Sequence, residues 1–214
     1  MNAIIQMMKE AVIEWEFWLT VITSFVAVIA LFQTNKQTKL SNKQHLFDRR
    51  LQNYQLASNL IHLYESNILS FYDEDTDGRV VAARIHLISL TKDNFFENVC
   101  ASDNGFDREY GKALIQARNK LRNSAVETTL IFKGKESEDI STFVLCYEHV
   151  LLKLYSFIHA FDDTLSSSSV VREIADEEEY FQSICTAYEK LADAYATQKR
   201  RGSLEKLQMQ IRLK

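Results

Sequence analysis

The stretch Glu16-Phe-Trp-Leu-Thr-Val-Ile-Thr-Ser-Phe-Val-Ala-Val-Ile-Ala-Leu-Phe-Gln-Thr-Asn-Lys36 decides how the rest of the chain is read. Nineteen residues, Phe17 to Asn35, carry no charge, and Phe17 to Phe32 is almost wholly apolar. As a helix the run is long enough, at the short end, to cross the hydrocarbon of a bilayer. Trp15 and Trp18 stand at its N-terminal boundary, where amphipathic rings favour the membrane–water interface. A cleaved signal peptide fits less well, because Lys9 stands among Glu10, Glu14 and Glu16 and no small-x-small cleavage site follows. Burial as the core helix of a globule is the competing reading.

Charge on the flanks sets a direction. Lys36, Lys39, Lys43, Arg49 and Arg50 follow the apolar run, whereas acids dominate before it. By the positive-inside rule the N-terminus lies outside and the bulk of the chain is cytoplasmic, with a single pass through the membrane. Polar and small residues within the run fall on one face. Glu16, Thr20, Thr23, Ala27, Ala30 and Thr34 are spaced 4, 3, 4, 3 and 4 apart, a heptad seam with Ser24 beside it. Lipid gives helices no hydrophobic reason to associate, so small and hydroxyl-bearing faces mark contact with another helix or with water. Only one such span occurs, so the partner of the seam is another copy or another protein. Two copies would bury the stripe. Six or more would arrange it around an aqueous path, with Glu16 as an acidic collar that favours cations.

Residues 1–14 carry Ile4, Met8 and Ala11, which with Trp15 make an amphipathic set, lying on the outer leaflet or extending the spanning helix. The span itself is assigned to 15–35, a cytoplasmic helical bundle to 36–198, and a basic tail to 199–214. No proline occurs in 214 residues, where about ten are typical. That suits long uninterrupted helices. Leu40, Phe47, Leu51, Tyr54, Ile61, Tyr64 and Ile68 form a helical stripe, and nothing between Gln33 and Tyr72 would stop a helix. A single rod from about residue 15 to 70 is expected, roughly 80 Å long. Further helices are expected over Val80 to about Leu90, around Phe95 to Cys100, from Phe106 to about Phe132, over Ile140 to Ile158, and from Ile174 to Tyr195. Turns are expected at Asp73–Gly78, Ser102–Gly105, Lys133–Lys135 and Ser166–Ser169. No segment alternates with period two, so the class is all-α, an antiparallel bundle behind one membrane helix.

The net charge of −4 gives no global argument for nucleic-acid binding. Cys100, Cys146 and Cys185 are scattered and odd in number, which suits small core residues in a reducing compartment. After Gly202, Leu204, Leu207 and Ile211 make a short amphipathic helix. Lys199, Arg200, Arg201, Lys206, Arg212 and Lys214 face only Glu205, a pattern for anionic lipid, nucleic acid or an acidic partner, or for a solvated terminus.

Candidate chemistry is sparse. Asp73-Glu-Asp75-Thr-Asp77-Gly78 copies the first half of an EF-hand loop, but the twelfth position, a bidentate glutamate in that motif, is Arg84. His159 with Asp162 and Asp163 has the spacing of an oriented base or of a helix-end ion pair. The run Glu177-Glu178-Glu179 reads as a solvated face. No zinc spacing, phosphate loop or nucleophile elbow occurs, so neither cofactor nor metal is expected.

Arg79 and His86, with six residues between them, resemble the arginine–histidine pair of HEPN ribonucleases, in which that pair serves RNA cleavage. Val80 stands where those enzymes usually carry a polar residue. The passage from Phe32 to Tyr54, with Leu46-Phe-Asp-Arg-Arg-Leu51 and then Tyr54, looks like a large set of bacterial single-span helical proteins. In outline the chain is also similar to small membrane effectors of antiphage systems, among them the pore-forming, HEPN-like accessory protein of type VI CRISPR loci. These resemblances imply a homo-oligomeric membrane effector of bacterial antiphage defence, a pore or depolarising component recruited through its cytoplasmic domain by a protein or nucleic-acid trigger. A membrane-anchored adaptor without channel activity and a HEPN-like ribonuclease are the alternatives.

Overall fold

The computed structural model describes residues 2–67, 79–92, 96, 108–161 and 174–211. The acidic loop 73–78, most of the short helix expected at 95–100, Cys100, the turn 102–105, Asp162, Asp163, the serine run 166–169, Arg212 and Lys214 lie outside the described residues. The same holds for the side chains of residues 2–14 and of Glu16. Six helices are present and no strand is found among the described residues: α1 (Asn2–Asn67), α2 (Arg79–Leu90), α3 (Arg108–Ile131), α4 (Lys135–Phe161), α5 (Ile174–Arg201) and α6 (Ser203–Ile211). The chain divides into two units, Met1–Leu46 and Phe47–Lys214.

Helix α1 starts at Asn2, well before the rod expected from residue 15, because neither proline nor glycine occurs before Asn67. Its second part belongs to the larger unit and buries Leu56, Ala57, Leu60, Ile61 and Tyr64. The expected stripe lies on this helix; its Ile61 and Tyr64 are buried, whereas Leu40 is exposed. Leu40 lies in the first unit, where none of the described side chains is buried, so periodicity identifies a helical face there without a described side chain packed on it.

The larger unit is organised on α4. Ile140, Phe143, Val144, Tyr147, Val150, Leu151, Leu154, Phe157 and Ile158 are all sealed from solvent, and α2, α3, α5 and α6 each pack against this helix. Its first turn carries Glu136 and Glu138, charges that complement the positive end of the helix dipole, and its last turn holds His159. Tyr64 of α1 meets Phe143 edge-on and also contacts the ring of Tyr195. The Tyr147 hydroxyl donates to the Leu90 carbonyl at 2.7 Å, which ties the end of α2 to the middle of α4.

Two glycines make the corners. Gly134 (φ 91°) lies between α3 and α4, and Gly202 (φ 59°) between α5 and α6, both in the left-handed region that side chains with a Cβ avoid. Asp139 then fixes the α5–α6 corner, accepting from Arg201 at 2.7 Å and from Ser203 at 2.8 Å. A third glycine, Gly111, sits inside α3, where a Cβ would stand 2.5 Å from the Tyr155 hydroxyl. Its missing side chain lets α4 approach.

Arg50 joins three elements. Its guanidinium donates to the carbonyl of Ile131, at the end of α3, and to that of Gln210, at the end of α6, both at 3.0 Å. It also lies 5.8 Å from the centre of the Phe132 ring. Helix C-termini leave unpaired carbonyls and a partial negative charge, so one cation satisfies two of them. Arg49 next to it is exposed and pairs with Glu127 at 3.3 Å. Arg50→Ala is therefore expected to lower the unfolding free energy of the full chain by about 2–3 kcal/mol. Arg49→Ala should cost less than about 1 kcal/mol. Urea unfolding in mild detergent, followed by near-ultraviolet circular dichroism, compares them, and equal losses would contradict this account of Arg50.

Candidate functional site

Among the described residues one helix is long and apolar enough, by length and composition, to cross a membrane, and it is α1. None of its most apolar window is buried within the chain. Twelve large hydrophobic side chains from Trp15 to Phe32 are exposed, Phe25 at 69% and Phe32 at 74%. Sealing such side chains from water is worth about 1.5–3 kcal/mol each, so leaving this set in water forgoes on the order of 20 kcal/mol. That exceeds the whole stability of an ordinary domain, about 5–15 kcal/mol. A core helix needs cover, and the described residues supply none here.

Four hydroxyls along this part of the helix, those of Thr23, Ser24, Thr34 and Thr38, are satisfied by its own backbone. Thr23 Oγ1 donates to the carbonyls of Leu19 (2.9 Å) and Thr20 (3.0 Å), and Ser24 Oγ to that of Thr20 (2.7 Å). Thr34 Oγ1 donates to the Ala30 carbonyl at 2.8 Å and Thr38 Oγ1 to the Thr34 carbonyl at 2.9 Å. An unsatisfied donor in hydrocarbon costs several kcal/mol, and back-bonding to the preceding turn removes that cost. Thr20, Thr23, Ser24, Ala27 and Ala30 are all exposed. Their arc forms a small, smooth face whose Thr23 and Ser24 donors require neither water nor a partner.

Arg79 and His86 are engaged elsewhere. Arg79 pairs with Glu178 at 2.8 Å and lies 4.2 Å from the centre of the Phe181 ring. His86 is only 3% exposed, its ring edge-on to Tyr188. A general acid or base must reach its substrate, and the imidazole of His86 is closed in by packing. The cations of the basic tail are largely ion-paired at the surface. Lys199 pairs with Glu65 (3.3 Å), Arg201 with Asp139 (2.7 Å) and Lys206 with Glu136 (3.3 Å), while Arg200 is exposed. Leu207 and Ile211 bury the apolar side of α6. His159 ends α4 beside Tyr155. Cys146 and Cys185 are half-buried, and desolvation pushes both thiols up, away from reactive thiolate. Cys146 borders an open groove of about 360 Å³ with Lys190 and Asp193. Among the described residues no group of three or more His, Cys, Asp or Glu is placed to hold a metal ion.

Two charge clusters escaped the sequence reading. Glu148 is buried in α4 and held by Arg118 (2.6 Å) and Arg122 (3.3 Å) of α3. Its signal was a carboxylate between Tyr147 and Val150 on the most apolar helix. Glu65, Tyr195 and Lys199 form the second. The Tyr195 hydroxyl donates to Glu65, and Lys199 Nζ donates to the Tyr195 oxygen at 2.6 Å.

No protein-family description, curated protein or solved structure matches the chain.

The hydrogen bond from Tyr195 is the main cause that holds the Glu65 carboxyl below its ordinary range; desolvation opposes it and Lys199 adds to it. A depressed carboxyl stabilises the fold above its unfolded pKa, and that contribution is lost as pH falls through the folded one. Tyr195→Phe should return Glu65 towards the ordinary carboxylate value, read by carbon-13 carboxyl titration. An unchanged midpoint would refute the assignment.

Proposed function

We propose that this is a single-pass membrane protein, N-terminus outside, which acts as a homo-oligomer through the Thr20, Thr23, Ala27 and Ala30 face of its spanning helix. Its larger unit is an antiparallel helical bundle on the cytoplasmic side, where it receives a protein or nucleic-acid signal. The observation that carries this reading is the exposed apolar stretch Phe17–Phe32, whose Thr23 and Ser24 hydroxyls donate to its own backbone. Such a surface is stable in lipid and costly in water. In lipid, close backbone approach at small residues supplies the dispersion contacts that hold helices together.

The output lies at the membrane. With six or more copies the Glu16 positions ring the outer mouth of a cation path, and the protein is a depolarising effector. Its place in antiphage defence rests on the outline resemblance to membrane effectors of those systems. The second reading, a membrane-anchored adaptor, is favoured by the back-bonded hydroxyls, because a face whose Thr23 and Ser24 donors are satisfied needs no aqueous lumen. The HEPN-like ribonuclease has no comparable support, since His86 is enclosed.

Light scattering of the detergent-solubilised protein separates these. A mass at a multiple of the 24.8 kDa chain is expected. Thr20→Leu with Thr23→Leu should reduce it by crowding the seam. A strict monomer would contradict self-association. A dimer would eliminate the pore and leave the adaptor; six or more subunits support the effector.

A further inference from the structure

Beyond the apolar window α1 continues without interruption through Lys36, Lys39 and Lys43, all exposed. No acidic residue occurs between Glu16 and Asp48, so these cations have no counter-charge on their own stretch of helix. No carboxylate among the described residues pairs with them. Their spacing of 3 and 4 puts them on one face, within about 60° of arc at 100° per residue.

That face has a fixed relation to the seam. Ala27 and Lys36, Ala30 and Lys39, and Thr34 and Lys43 are each nine residues apart. Nine residues are about two and a half turns, which brings the chain to the opposite side of the helix. The lysine stripe is thus the seam's pattern repeated on the far face. When copies meet through the seam, the lysines turn away from the contact and towards surrounding lipid.

Depth agrees with this. Lys36 lies about 6 Å and Lys43 about 16 Å beyond Phe32 along the axis. The headgroup region extends about 5–8 Å beyond the hydrocarbon, and the electrostatic reach of the surface adds about 8 Å. Long flexible lysine side chains extend back towards the phosphates over the same distance. Gln33, Asn35, Gln37 and Asn42 add amide donors along the same stretch.

The geometry points to Lys36, Lys39 and Lys43 as a docking surface for anionic phospholipid headgroups, on the cytoplasmic leaflet and on the outer side of the oligomer. This rests on the membrane reading and goes beyond it: the stripe selects lipid by charge as well as setting orientation. The occupant is a lipid rather than an acidic protein because the face continues directly from the apolar stretch Phe17–Phe32, which fixes it at headgroup depth.

The test uses the full chain, purified in detergent and reconstituted into mixed phosphatidylcholine–phosphatidylglycerol vesicles. Spin-labelled versions of the two lipids report the motionally restricted fraction beside the protein, and hence a relative association constant. A preference for phosphatidylglycerol of about fivefold is expected for lipids opposite the lysines at low salt. It should fall towards one at about 1 M salt, where screening length shrinks to about 3 Å. The exposed triple variant K36Q/K39Q/K43Q should show no preference, and K36R/K39R/K43R should keep it. Restricted lipid with equal constants for both headgroups, or selectivity that survives K36Q/K39Q/K43Q, overturns the lysine assignment and leaves the span standing. Absence of any restricted lipid overturns the span itself.

Discussion

Contact between apolar side chains and water along Phe17–Phe32 is the constraint on which the rest depends. No packing within the described residues covers these side chains, and the energy forgone in water is larger than a domain of this size has to spare. The helix nevertheless closes its own polar accounts, with the hydroxyls of Thr23, Ser24 and Thr34 turned onto carbonyls of the preceding turn. A stretch that is apolar in its side chains and satisfied in its backbone matches hydrocarbon as a solvent. The same segment separates two faces, small and hydroxyl-bearing on one side and basic further along on the other.

The larger unit meets a different demand, because four helices share α4 and their polar ends must be satisfied at close quarters. Arg50 serves the C-termini of α3 and α6 together, and Asp139 holds the corner between α5 and α6. Buried Glu148 is held by the largely covered Arg118 and by the half-exposed Arg122 where α3 meets α4. Removing one member of such a buried set leaves an uncompensated charge, which costs more than the pair contributes when intact. Of the arginine pair at 49–50, Arg50 joins helix ends and Arg49 forms an exposed ion pair with Glu127.

Much of this architecture was legible in the residues. The helices follow from apolar periodicity and the absence of proline, and Gly134 and Gly202 stand at the corners where breaks were expected. Leu40 shows the limit of periodicity, which identifies a face without saying whether anything packs on it. Arg50 was read only as a flanking charge, because its acceptors are backbone carbonyls 81 and 160 residues away. The basic tail read as a free cationic patch because the acids that neutralise it, Glu65, Glu136 and Asp139, lie on α1 and α4. Gly111, the one glycine inside a helix among the described residues, was a signal of close helix approach that composition alone left unexplained.

Collision accessibility along α1 tests the central claim most directly. Single spin labels at positions from 17 to 43 are introduced into a chain whose Cys100, Cys146 and Cys185 are replaced by serine, and the protein is placed in vesicles. Oxygen, which concentrates in hydrocarbon, should reach a maximum near Phe25. A water-soluble nickel chelate should be excluded there and regain access by Lys36 to Lys43. Oxygen contact at Thr20, Thr23 and Ala27 should be lower than at Phe25, because those positions face another helix. Free access of the chelate at Phe25, with no oxygen maximum anywhere along the scan, would contradict the account.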